Sequence, residues 1–91
     1  MRQIILNEKL TLSFETLDKG VRLIISEADM ELVCRKETYK NLQNFLKADE
    51  INIFKGRLQL HKRNEIIEVV IKNKPSAIIS TNDFKNVLDN L

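Results

Sequence analysis

The chain has 91 residues, 43% of them hydrophobic and 31% charged, with 15 basic against 13 acidic side chains. That length holds one domain with one core and excludes a large cleft built from insertions. The near balance of charge excludes a polybasic, histone-like chain.

The first elements show a period of two, the mark of a half-buried strand. Leu10, Leu12 and Phe14 alternate with Thr11, Ser13 and Glu15. Asp18-Lys19-Gly20 supplies turn chemistry. Val21, Leu23 and Ile25 form a second strand. Ser26-Glu27-Ala28-Asp29 reads as a turn, and Met30, Leu32 and Cys34 as the buried face of a third strand. Tyr39, Leu42, Phe45 and Leu46 then follow helical spacing.

The second half repeats the order. Phe54, Gly56, Leu58 and Leu60 form one face of a strand, Lys62-Arg63-Asn64-Glu65 a turn, and Ile67, Val69 and Ile71 the next strand. Asn73-Lys74-Pro75-Ser76 turns again before the short strand Ala77-Ile78-Ile79. Ser80 and Asp83 fit a capping box that opens a helix, with Phe84, Val87, Leu88 and Leu91 as its apolar face. At an offset of 45 residues, Tyr39-Lys40-Asn41-Leu42 falls on Phe84-Lys85-Asn86-Val87, and Val33 on Ile78.

The expected fold is therefore α+β. An antiparallel sheet packs on two helices in tandem strand-strand-strand-helix units, approximately 8–47 and 52–91, related by a pseudo-twofold. Ile24, Val33, Ile66 and Val70 place apolar residues on the second face of the strands, which then needs a cover. A second unit or a second chain meets that need, so these four residues are the expected self-association face.

Catalytic chemistry finds little support. His61 is the single histidine and Cys34 the single thiol, so no nucleophile-base pair or zinc set is spelled out. No Gly-rich phosphate loop or EF-hand is present. The reading is a binding protein, not an enzyme, without metal or cofactor. One cysteine and no signal-peptide pattern give a cytoplasmic expectation, and no apolar run suits a membrane span.

One segment stands out. From Ile51 to Asn64 there is no acidic residue. Lys55, Arg57, Gln59, His61 and Arg63 occupy alternate positions, with Lys62 beside them at the turn. Alternate strand residues project to one side at roughly 6.6–6.8 Å intervals, near the phosphate repeat of an extended single strand. Such a face suits single-stranded DNA or RNA. The same row also suits a guarded edge strand, a wet amphipathic face or an acidic protein partner.

The stretches Gly56 to Lys62, Ile67 to Ile71 and Ala77 to Phe84 together resemble the single-stranded-DNA-binding transcriptional coactivator and Whirly-like group. That family has a curved antiparallel sheet whose last strand enters a Ser/Thr-capped helix with an aromatic in its first turn. The resemblance covers about 40 residues. It implies paired sheets that grip single-stranded DNA, with Lys55, Arg57, Lys62, Arg63, Lys72 and Lys74 as contacts. The family's unit has four strands, where three per half are legible here. Its Lys- and Gly-rich segment is shortened to Lys72-Asn73-Lys74-Pro75. The competing expectation is a protein-interaction or self-assembly module with no nucleic-acid role.

Overall fold

The computed structural model describes residues 2–91. Two four-stranded antiparallel meanders each end in a helix. The first comprises β1 (Arg2–Ile5), β2 (Leu10–Thr16), β3 (Gly20–Glu27), β4 (Met30–Thr38) and α1 (Tyr39–Lys47). The second comprises β5 (Glu50–Ile53), β6 (Leu58–Arg63), β7 (Ile66–Ile71), β8 (Lys74–Ser80) and α2 (Thr81–Asp89). The fold is α+β as expected, but each half has four strands and not three. The missing strands, β1 and β5, are only four residues long; β1 lacks a clear alternation, and the alternation of β5, Glu50-Ile51-Asn52-Ile53, spans just two apolar residues.

In β2, β3, β6 and β7 the alternating apolar residues face the core as predicted, whereas Met30 and Cys34 of β4 are exposed. Leu12, Phe14, Leu23, Ile25, Leu60, Ile67 and Val69 are fully buried. A single apolar cluster draws on both halves. Its aromatic centre joins Phe14 of β2, Phe45 of α1 and Phe84 of α2. The Phe84 ring lies edge-on to Phe14 at 5.1 Å and to Phe45 at 6.1 Å. The two helices meet there, with Phe45 of α1 against Phe84 of α2.

Corresponding residues follow from register. Leu12 pairs with Ile25, and Ile25 with Val33. In the second sheet Leu60 pairs with Val69, and Val69 with Ala77. The helix caps correspond as Thr38 and Ser80. The separation thus shrinks along the chain from 48 to 44 to 42, and no single offset of 45 relates the halves. Differences in turn length absorb the change. Val33 corresponds to Ala77 and not to Ile78.

Local chemistry sets the ends of the elements. Ala28 and Asp29 both have positive φ, as do Lys72 and Asn73. These are the two-residue turns whose twist suits a hairpin. The second turn therefore precedes the predicted one, and Pro75 lies inside β8. It is tolerated there because β8 is an edge strand with a register shift opposite Val69 and Val70. The Thr38 hydroxyl accepts from the Asn41 N–H at 3.1 Å, and the Ser80 hydroxyl from the Asp83 N–H at 3.0 Å. Each cap is worth about 1 kcal/mol.

Gly20 begins β3 opposite Thr38. A Cβ there would stand 2.4 Å from the Glu37 carbonyl oxygen, a backbone atom that cannot swing aside. Gly20→Ala is expected to cost about 1–3 kcal/mol through forced separation of β3 and β4. Chemical denaturation measures it, and an unchanged midpoint would contradict the close approach.

A register shift between Ile25 and Ser26 breaks the alternation of β4. Val33 is consequently on the core side, paired with Ile25, and Cys34 is exposed on the other face. Both outcomes correct the sequence reading. An extra residue in one strand reverses which side chains point inward.

Candidate nucleic-acid interface

The acid-free segment is not one continuous strand. β6 starts only at Leu58, and residues 54–57 form the β5–β6 connection. Lys55 and Arg57 are exposed on that connection, and only Gln59, His61 and Arg63 keep strand alternation. Phe54 has a φ of 67°. A bulky residue in the left-handed region costs about 1–3 kcal/mol, so surrounding contacts must hold it there.

Lys62 is corrected most clearly. It is 4% exposed, and its ammonium donates to the Ala48 carbonyl oxygen. It pairs with Ile51 on one side and Ile67 on the other. In the first sheet the fully buried Phe14 occupies the corresponding place. The aliphatic stem of Lys62 fills core space, and its charged end reaches the linker between the units. Lys62→Met is therefore expected to leave polyanion binding unchanged in a heparin-retention assay. A clear loss of retention, with the fold intact, would contradict this placement.

His61 and Arg63 lie on the outer face of the second sheet but are engaged there. The His61 ring is 3.0 Å from the Gln59 amide oxygen and 3.8 Å from the Glu68 carboxylate. Arg63 donates to the Asn52 amide oxygen at 2.9 Å and to the Lys62 carbonyl at 2.8 Å. Glu50 is its cross-strand neighbour. Acidic side chains on β5 and β7 thus interrupt the row on both sides.

The remaining predicted cations converge elsewhere. The Lys72 N–H donates to the Arg57 carbonyl at 2.7 Å, which ties the β7–β8 turn to the β5–β6 connection. Leu58 pairs with Ile71, and Ile71 with Lys74, so Lys74 shares a rung with the first residue of β6. Arg57, Lys72 and Lys74 therefore meet at one end of the second sheet, with Lys55 close by on the connection. The first unit adds cations that the sequence reading missed. Lys9 lines a groove with Lys72, Lys74 and Glu27, and the Asn7 amide bridges to the Ser76 carbonyl at 3.3 Å. Arg35 reaches from β4, its guanidinium carbon 5.2 Å from the centre of the Phe54 ring. Arg35 was obscured because the shifted register of β4 is not visible in the chain's alternation.

None of Lys9, Arg35, Lys55, Arg57, Lys72 and Lys74 forms an ion pair among the described residues. Arg22, on the outer face of the first sheet, is the contrast. It lies 3.0 Å from Glu31 and 3.5 Å from Glu15 and from the Cys34 sulfur. The Cys34 sulfur first, then Glu31 and Glu15, push the guanidinium above the ordinary arginine value. That face balances its own charge.

The expected self-association residues separate. Val33 is in the core, and Ile24 and Val70 are buried at 7% and 5% exposure by the chain itself. Ile66 alone is open, at 50%. Ile78, not singled out from sequence, is 64% exposed, and the two line one shallow depression with His61, Arg63 and Glu68.

Among the described residues, no group of three or more His, Cys, Asp or Glu side chains is placed to hold a metal ion. No helix there is long and apolar enough to cross a membrane. No family model, curated protein or solved structure matches this chain.

Proposed function

We propose that this chain is a non-enzymatic binding protein for single-stranded nucleic acid, and that it binds at the end of the second sheet. The observation that carries this reading is the set of exposed cations Arg35, Lys55, Arg57, Lys72 and Lys74 outside any ion pair. Cations outside any ion pair have no bound acid to displace when a phosphate arrives. Their neutralisation of phosphates releases condensed counterions, so affinity falls as salt rises. Anisotropy of a labelled single-stranded oligonucleotide, titrated at two salt concentrations, tests the reading. Salt-sensitive binding is expected, and no binding at low salt would overturn it. The cluster is consistent with the family resemblance through Lys55, Arg57, Lys72 and Lys74, and it leaves out Lys62. A cytoplasmic setting accords with Cys34, whose exposed single thiol suits a reducing compartment.

A second reading draws on Ile66 and Ile78. Two neighbouring exposed isoleucines favour a protein contact on the outer face of the second sheet, with another copy or another protein.

A further inference from the structure

The cations at this end differ in how they are held. Lys55, Arg57 and Lys72 are exposed on connections and Lys74 at the start of β8, all outside ion pairs and suited to phosphates. Arg35 is braced. Its guanidinium carbon lies over the Phe54 ring, and its Nη1 is 3.7 Å from the place a Cβ on Gly56 would take. Phe54 holds its ring there from a left-handed backbone conformation, φ 67°, that bulky residues rarely adopt. Strained residues of this kind concentrate at ligand clamps. The bracing also crosses the units, since Arg35 belongs to β4 and Phe54 follows β5.

An arginine over an aromatic ring keeps a planar, weakly hydrated cation whose other side can receive a second flat group. Arg35 is an exposed residue, so its side chain is reachable from solvent. Unstacked bases of single strands pack on guanidinium planes as well as on aromatic rings. Aromatic residues are few in this chain, and Phe14, Phe45 and Phe84 are in the core. A braced arginine supplies the flat surface that exposed rings would otherwise provide.

We propose that Arg35, held against Phe54, is a stacking shelf for one base of a bound single strand, with the adjoining phosphates against Lys55 and Arg57. This inference rests on the nucleic-acid reading above. It adds that binding depends on bases and not on phosphate charge alone.

Two labelled oligonucleotides of about 12 nucleotides test it, a length within the usual span of single-strand sites. One carries bases throughout and the other is abasic with the same number of phosphates. Anisotropy titrations use the wild-type chain and Arg35→Lys, which keeps the charge and removes the plane. The wild-type chain is expected to favour the base-bearing strand by roughly tenfold, as for one stacked base. Arg35→Lys should abolish that preference and leave affinity for the abasic strand unchanged. Equal wild-type affinity for both strands would overturn the shelf, as would a preference that persists in the variant. An equal loss for both strands would overturn it too, because Arg35 would then act only as a charge. A wild-type chain that binds neither strand at low salt would overturn the nucleic-acid reading itself. Arg35 is exposed, and unchanged circular dichroism confirms that the variant is folded.

Discussion

Phe84→Ala should lower stability by about 3–5 kcal/mol, the usual result of removing a fully buried phenylalanine. Domains of this size have roughly 5–15 kcal/mol in total, so a large share is lost. The size of the effect follows from where Phe84 sits. Its ring contacts Phe14 of the first unit and Phe45 of the first helix, and edge-on aromatic pairs add about 0.5–1.5 kcal/mol each beyond burial. For a chain of about 60–100 residues, each kcal/mol moves the melting temperature by roughly 4–8 °C. A fall of about 12 °C or more is therefore expected by circular dichroism. Both sheets should melt in one transition, because they share one apolar cluster. A small effect, or two separate transitions, would show that the halves fold independently.

The second large effect concerns binding. Arg57→Glu combined with Lys72→Glu reverses two cations linked through the Arg57 carbonyl and the Lys72 N–H. That hydrogen bond is main-chain to main-chain and survives both substitutions. The double variant should keep its fold and lose oligonucleotide binding by at least about two orders of magnitude at low salt, since close like charges add repulsion to lost attraction. For single strands the slope of log affinity against log salt is about −0.7 per phosphate neutralised, so engaging four phosphates gives roughly −3. Arg63→Glu is the contrasting case. Arg63 already serves Asn52 and the Lys62 carbonyl, and its replacement should change binding little. If Arg63→Glu proved as damaging as the double variant, the continuous strand face expected from sequence would be restored as the site.

The parts that were legible in sequence are those governed by short-range patterns. Leu12 and Phe14, Leu23 and Ile25, and Leu60, Ile67 and Val69 announced buried strand faces by alternation, and all seven are in the core. Ser80 announced a helix N-terminus and caps α2. Patterns fail where one residue shifts the register. The irregularity at Ile25 and Ser26 exchanged the surroundings of Val33 and Cys34, and no residue type in β4 marks it. Lys62 failed for another reason. Its charge suggests solvent, yet its stem replaces a phenylalanine and its ammonium finds one backbone carbonyl. Alternation with Leu58 and Leu60 puts Lys62 on the inward side, a signal that its charge masked.

Four of the six cations of the candidate site were named from sequence, and two were not. The absence of acids from Ile51 to Asn64 pointed to Lys55 and Arg57, and only the family resemblance implied Lys72 and Lys74. What sequence could not show is that these residues share an end of the sheet, while His61 and Arg63 face Glu68 and Glu50. It also could not bring Arg35 and Lys9 from the first unit to that end. Such contacts depend on how two units pack, and no local pattern encodes them.

The most direct test locates the site on the folded chain. Backbone amide shifts of the labelled protein are followed by NMR while a single-stranded oligonucleotide is added at low salt. Perturbations are expected at Arg35, Phe54 to Arg57 and Lys72 to Lys74, with His61, Arg63, Ile66 and Ile78 little changed. Shifts confined to that outer face, or none at all, would contradict the account.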